Sequence, residues 1–327
     1  MKVCGIICEY NPFHRGHAHQ IAQIRALLGE DAAIVCCMSG NFVQRGEAAF
    51  LPKQTRARAA LQSGADLVLE LPLAFACAPA QRFAEGAVGL AEAMGCAEFL
   101  SFGSESGDAP ALARTAAVLD RPDFREGLAA ALAKGLGYPA AVSEALTAAA
   151  GEEAAAAAAS PNDTLALEYL RALRRLGSTI TPMAVQRAHV AHDQPESSGA
   201  FASASRLRAL AEGEAIAGFV PEGAAALYRQ ELQAGHTPDP VRTDAAVMAV
   251  LRRMEPEEFS VLPDCSEGIE NRFREALRRS GSMEEALSLA KTRRYPHARL
   301  RRLMMHAFLG LTREDTRKSP AYLRVLG

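Results

Sequence analysis

Two histidines one helical turn apart, His14 and His17, flank Gly16 in the stretch Asn11-Pro12-Phe13-His14-Arg15-Gly16-His17. Imidazole N–H groups donate hydrogen bonds to phosphate oxygens, and a glycine between them lets backbone approach a ligand. These residue types at this spacing predict a phosphate-handling site. A metal centre of His14, His17 and His19 is the weaker alternative, because no CxxC pair or HExxH run accompanies it. Neither GxxxxGK[ST] nor GxGxxG is present at this position, so the phosphate chemistry is not that of a Walker or dinucleotide loop. A second candidate cluster, Ser203-Ala204-Ser205-Arg206-Leu207-Arg208, brings small hydroxyls and basic side chains together, with Ser203 expected as a helix N-cap. Arg187 is a third candidate, placed to neutralise phosphates at the end of a strand.

Such residues need elements to position them. Residues 3–8 are apolar, short and partly β-branched, as an inner parallel strand should be, and Asn11-Pro12 breaks the run. From His17 onward Ile21, Ile24, Leu27 and Leu28 fall at helical spacing. A helix starting straight after a strand is expected to offer unpaired backbone N–H groups and the positive end of its dipole to an anion. Further strands are predicted at 33–38, 66–71, 98–102 and 179–185, and helices at 54–62, 82–94 and 164–175. This alternation predicts an α/β fold with a Rossmann-like doubly wound parallel sheet, whose ligands bind at the carboxyl ends of the strands.

Those ends are polar and glycine-rich. After the second strand comes Ser39-Gly40-Asn41-Phe42-Val43-Gln44-Arg45-Gly46-Glu47, and the fourth closes in Ser101-Phe102-Gly103-Ser104-Glu105, where glycine permits close approach of an adenine or ribose. Lys53, Arg56 and Arg58 share one helical stretch, read either as a solvated face or as an anion-facing one. Residues 108–158 are alanine-dense and expected to be helical. Asn162 is read most simply as a cap or turn residue.

At 327 residues, the chain exceeds a typical single domain, and one α/β domain over residues 1–210 with a helical domain over 211–327 is the simplest division. A net charge of −2 argues against indiscriminate nucleic-acid binding, yet residues 271–327 hold 14 Lys/Arg against 5 Asp/Glu. Within that stretch Arg272, Arg274, Arg278, Arg279, Lys291, Arg293, Arg294, Arg299, Arg301 and Arg302 are candidates for phosphate contacts with RNA, the alternative being a solvated helical surface. The seven cysteines lack metal-ligand spacing and read as free, mostly buried thiols. No apolar run approaches membrane-spanning length, and the first strand begins so early that no signal peptide is expected, so a cytoplasmic protein follows. Nothing in the sequence calls for an obligate protein partner.

The order Pro12, His14, Gly16, His17 after a first strand resembles the HxGH signature of the nucleotidyltransferase superfamily, and Ser203, Ser205, Leu207 and Arg208 match its second phosphate motif. Residues 5–17, 38–47 and 66–72, with Arg301-Arg302-Leu303 and Tyr322-Leu323-Arg324-Val325-Leu326-Gly327, are similar more narrowly to the bacterial tRNA(Met) cytidine acetate ligases. That resemblance implies activation of acetate by ATP as acetyl-adenylate, with pyrophosphate released, and transfer of the acetyl group to N4 of the wobble cytidine of elongator tRNA(Met). It implies His14, His17, Ser203 and Arg208 as catalytic residues, and an ATP site lined by Ile7, Cys8, Glu9, Tyr10, Asn11, Pro12, Phe13, His14, Arg15, Gly16, His17, Ala18, His19, Gln20, Gly103, Asn162, Arg187 and Ala188. Mg²⁺ is expected with the ATP, held by substrate oxygens and water and not by a dedicated protein cage.

Three departures accompany the resemblance. Ala166 stands where the family pattern has glycine, residues 189–192 replace a Gly/Tyr-containing segment, and members usually continue beyond residue 327. A reduced tRNA-binding surface is expected from the last. Two other classes fit part of the pattern: a small-molecule adenylyl- or cytidylyltransferase without tRNA dependence, and a non-catalytic nucleotide- or RNA-binding protein. The latter gives His14 and His17 no reason to sit together.

Overall fold

The computed structural model describes residues 1–187, 202–210, 216–266, 268–292, 295–317 and 324–327. Strands β1 (Val3–Cys8), β2 (Ala33–Ser39), β5 (Leu67–Leu71), β6 (Phe99–Ser104) and β7 (Thr181–Gln186) form one sheet in the order β5-β2-β1-β6-β7, every pair parallel. Two short strands, β3 (Phe42–Val43) and β4 (Glu47–Ala48), make a separate hairpin after β2. Strand order reverses between β1 and β6, so the crevice of this sheet lies at their carboxyl ends.

Side-chain alternation explains why both faces are covered. Cys4, Ile6, Ile34, Cys36, Met38 and Val68 point to one core, closed by α1 (Arg15–Leu28) and α2 (Lys53–Gln62). Ile7, Val35, Cys37, Leu69, Leu71 and Leu100 point to the other, closed by α4 (Ala80–Ala93), α5 (Ala109–Val118) and α9 (Pro161–Leu176). A strand buried on both sides needs continuous apolar sequence, which is what made these runs visible. Each large aliphatic residue so buried contributes about 1.5–3 kcal/mol. The alanine-dense middle resolves into α5 and the helices Pro122–Ala133, Tyr138–Ala150 and Glu152–Ala157.

One helix contact is unusually close. A Cβ on Gly86 of α4 would lie 2.2 Å from Cγ of Phe75, which is itself buried. Helix propensity favours alanine over glycine by about 1 kcal/mol, but overpacking a core costs roughly 1–3 kcal/mol. Gly86→Ala is therefore expected to destabilise the protein, and urea unfolding of the two proteins measures the sign.

The basic half of the chain is helical and builds a third core from Val247, Leu251, Phe259, Phe273, Leu287, Leu300 and Met304. The helix Glu222–Gln233, in contrast, packs onto the α/β body, where Tyr228 donates its hydroxyl to the Phe13 carbonyl at 3.0 Å. The last four residues return to the sheet. Val325 bridges Leu69 antiparallel, the Val68 amide donates to the Gly327 carbonyl at 2.6 Å and the Glu70 amide to the Arg324 carbonyl at 2.7 Å, so the exposed side of β5 is paired.

Candidate active site

A cleft of about 400 Å³ opens at the carboxyl ends of β1 and β6. Ile7, Cys8, Glu9, Tyr10, Asn11, His14, His17 and Gln20 line it from the β1–α1 segment. Gly103, Asn162, Arg187, Ser203 and Arg208 complete it from four further segments. Gly16 and His19 border a smaller adjoining space next to Arg187 and Ser203. Pro12 and Phe13 are buried beneath the cleft, Arg15 is exposed and Ala18 is half-buried. Ala188 lies outside the described residues.

The two histidines are locked to the start of α1. His14 caps the helix, its Nδ1 accepting from the Gly16 amide at 3.1 Å, while Nδ1 of His17 accepts from the His14 amide at 3.2 Å. Since both Nδ1 atoms are acceptors, each neutral ring carries its proton on Nε2. The rings stack with centroids 3.7 Å apart. Burial, then the positive charge of Arg187, pushes His14 down to about 3; burial, then His14 and Arg187, places His17 well below its ordinary value. Both therefore act as neutral hydrogen-bond donors at neutral pH. Gly16 is required by this geometry: a Cβ there would sit 2.9 Å from Cε1 of His14.

One expectation needs correction here. The first amides of α1 are not free for an anion, because Arg15 N–H donates to the Phe219 carbonyl at 2.9 Å, Gly16 to the His14 ring and His17 to the His14 carbonyl at 2.9 Å. The helix dipole still points into the cleft, but the donors available there are imidazole Nε2–H groups.

Opposite the histidines, a relay orients Arg187. Its Nη1 donates to Oδ1 of Asn162 at 3.1 Å, and the Asn162 amide donates in turn to Glu105. Ser160 donates to the second Glu105 oxygen at 2.6 Å. Burial opposes ionisation of Glu105, yet these hydrogen bonds prevail and hold its carboxyl below the usual range. Asn162 is thus neither cap nor turn: α9 begins at Pro161 with Ser160 as its cap, and Asn162 couples β6 to Arg187. On the short helix α10 (Ala204–Leu210), the Ser203 hydroxyl accepts from the Arg206 amide at 3.3 Å, as an N-cap should. Arg208 Nη1 donates to the Asn11 carbonyl at 2.8 Å, tying this motif to the histidine loop.

Arg56 fits neither face proposed for its helix. It is fully buried and donates to the carbonyls of Leu51 (3.0 Å), Ser39 (3.2 Å), Glu9 and Gly40. Burial lowers its pKa to about 10. Its guanidinium fixes the ends of β1 and β2 from below. Lys53 pairs with Glu70 at 2.6 Å, and only Arg58 is exposed. Walls that no local signal announced are Ala80 and Phe83 of α4 and Thr164 and Leu165 of α9; they reach the cleft through sheet topology.

The basic residues of the helical region differ in what they hold. Arg272 donates to the carbonyls of Ala290 and Leu289, ending a neighbouring helix, and Arg302 reaches Asp264 at 3.5 Å with little exposure. Arg301 pairs with Glu47 and, at 3.1 Å, with Glu284, and Arg299 binds the Asp264 carbonyl at 3.0 Å. These four spend guanidinium hydrogen bonds on partners within the chain, although Arg272 is itself exposed. Arg279 makes an exposed pair with Glu275, Arg278 and Lys291 are exposed, and Arg274 is half-buried. Arg293 and Arg294 lie outside the described residues.

Comparison with known proteins shows the family to which the chain belongs. Residues 1–327 match the family model described as HIGH Nucleotidyl Transferase. A tRNA(Met) cytidine acetate ligase of Acetivibrio thermocellus is 37% identical, the match covering 100% of this chain and 83% of that protein. Its counterpart from Fervidobacterium nodosum is 34% identical over 100% of this chain and 79% of its own. Among solved structures, Thermotoga maritima TmcAL bound with alpha-thio ATP superposes with a TM-score of 0.91 at 33% identity, covering 100% of this chain and 80% of that one. With the family model matching residues 1–327 and relatives above 30% identity over the whole of this chain, the chain belongs to the tRNA(Met) cytidine acetate ligase family of HIGH nucleotidyl transferases.

Proposed function

We propose that this chain is an ATP-dependent ligase that activates acetate as acetyl-adenylate and acetylates N4 of the wobble cytidine of elongator tRNA(Met). The observation that carries the reading is the pair of neutral Nε2–H donors of His14 and His17, facing a cleft whose other side holds Arg187, Ser203 and Arg208. An acetate oxygen attacks the α-phosphate of ATP and pyrophosphate departs. Such a displacement needs positioning and charge stabilisation more than a covalent nucleophile. The histidines donate to the non-bridging oxygens as charge builds, and their Nδ1 bonds hold the rings so that no reorganisation is needed. Arg187, oriented through Asn162, and Arg208 stabilise the departing pyrophosphate. Gly103 and Asn162 line the same cleft and take the ribose and adenine in this reading. Mg²⁺ entering with ATP would rest largely on phosphate oxygens and water.

Residues 1–210 carry the adenylation chemistry in this reading, and residues 211–327 present RNA-facing cations such as Arg274, Arg278, Arg279 and Lys291. The test is incubation with ATP, Mg²⁺ and labelled acetate, with and without elongator tRNA(Met). Label in RNA and acetate-dependent pyrophosphate exchange are expected. Exchange with no acetate dependence would point instead to another nucleotidyltransferase substrate.

A further inference from the structure

A second cavity, of about 230 Å³, shares no lining residue with the active-site cleft. Pro79 and Arg82, where α4 begins, line it together with Asp264, Arg313 and Arg317 of the helical region. His306, only 1% exposed, closes its back and donates from Nε2 to the Cys77 carbonyl at 2.6 Å. Burial, opposed chiefly by that carbonyl, lowers His306 below its ordinary value, so at neutral pH it brings no charge. Arg82 is anchored by Glu85 and the Thr316 carbonyl, its guanidinium 5.1 Å from the centre of the Phe75 ring. Arg313 is anchored through Nε, which donates to the Leu262 carbonyl at 3.1 Å, and through Nη2, which donates to that of Cys265. Its Nη1 is left over, and exposed Arg317 bonds to no group among the described residues. Asp264, the one carboxylate that lines the cavity, faces Arg302 at 3.5 Å. With Arg82 balanced by Glu85 and Asp264 by Arg302, Arg313 and Arg317 are the lining groups without a counter-ion among the described residues.

Two guanidinium groups tied to the walls of a cavity have given up their conformational freedom before a ligand arrives, which lowers the cost of binding an anion. Phosphate is the anion that a planar fork of N–H donors matches. The position of the cavity identifies which phosphate. Ala80 and Phe83 of α4 line the active-site cleft, whereas Pro79 and Arg82 line this cavity, so the first turn of α4 stands between the two spaces. A polynucleotide with one base in the cleft carries a backbone phosphate on each side of that base, within reach of the neighbouring space. We propose that this cavity binds a backbone phosphate of the RNA whose base enters the cleft, an assignment that rests on the ligase reading above. Arg317 and Nη1 of Arg313 supply the free donors, and Arg82 a fixed positive charge. The RNA-facing charge is thereby placed beside the cleft: Arg272, Arg299, Arg301 and Arg302 hold groups within the chain, while Arg317 keeps its guanidinium for a partner from outside.

The discriminating variant is Arg317→Gln, which breaks no bond among the described residues. Its binding to elongator tRNA(Met) is measured over a range of salt concentrations beside wild type and Arg125→Gln, a change of the same charge at an exposed position of the helix Pro122–Ala133. Loss of one phosphate contact is expected to weaken binding by ~3–10-fold at low salt and to flatten the slope of log K against log salt by about 1. Arg125→Gln should keep the wild-type affinity and slope. Acetate-dependent pyrophosphate exchange without RNA should be unchanged in both variants, because neither residue lines the cleft. Equal losses in the two variants would show that Arg317 acts through net charge alone, and wild-type binding by Arg317→Gln would show that it touches no RNA; either result overturns the proposal. So would inorganic phosphate that raises the urea midpoint of wild type but not of Arg317→Gln while both bind tRNA equally, which would make the cavity a site for a free anion. Wild-type protein that binds tRNA but transfers no acetyl would overturn the ligase reading instead, and the Arg317 comparison would still decide this site.

Discussion

Replacing His14 and His17 together with alanine is expected to lower acetate-dependent pyrophosphate exchange by at least ~10³-fold, since one preorganised donor at a developing charge is worth about 10²–10³. The two rings act as a unit, stacked and each bonded to the helix start, so the double variant should be little worse than the more damaging single one. Loss of the His14 cap costs helix α1 roughly 1 kcal/mol, a change too small to unfold the protein. His14→Asn separates the effects, because asparagine caps a helix without supplying the ring. If exchange survived in the double variant, the assignment of chemistry to these residues would fail. The same proteins carry a stability signature. His14 titrates near 3 in the folded state against an ordinary 6.5, so the folded state binds fewer protons than the unfolded one across that window. Stability is therefore present above 6.5 and lost as pH falls toward 3. The double alanine variant should lose less stability between pH 6 and pH 4 than the wild type, measured by urea midpoints at the two values.

Arg56 governs the second large effect. Arg56→Met removes the guanidinium donors from four carbonyls, three of them on buried residues, that belong to three different loop ends, each costing about 1–3 kcal/mol when left unsatisfied. Water entering the vacated space recovers part of that loss, and a net destabilisation of roughly 3–5 kcal/mol is expected. Arg56→Lys should rescue little, because a single ammonium cannot reproduce a planar fork that reaches Leu51, Glu9, Ser39 and Gly40 together. Urea unfolding of both variants measures this. A lysine variant as stable as wild type would show that charge alone, and not the fork, supports the site.

These two sites differ in how far sequence could reveal them. His14 and His17 announced themselves by local spacing, and β1, β2, β5 and β6 by apolar runs that burial on both faces demands, whereas the edge strand β7 is mostly half-buried. Strand and helix limits moved by one to three residues, as with α9, because caps are set by single side chains such as Ser160. Arg56 was invisible for a different reason. Its role depends on carbonyls from loops up to 47 residues away, and along its own helix it resembles its exposed neighbour Arg58. The same holds for Phe83 and Leu165, which reach the cleft because β6 lies beside β1. The basic count over residues 271–327 was equally blind to partners: Arg272 and Arg302 contribute charge to the sum while binding carbonyls and Asp264 within the fold.

The pairing of β5 with residues 324–327 has a consequence for the birth of the molecule. On the ribosome, the segment 67–71 is made early, whereas the strand that covers its free side is among the last described residues to emerge. At about 5–20 residues per second the intervening chain takes on the order of tens of seconds to make. Throughout that interval the nascent sheet carries an apolar edge with open hydrogen-bonding groups, able to pair with a neighbouring chain on the same polysome. Ion pairing of Glu70, first with nearby Lys53 and later with Arg324, puts charge on that edge while it waits.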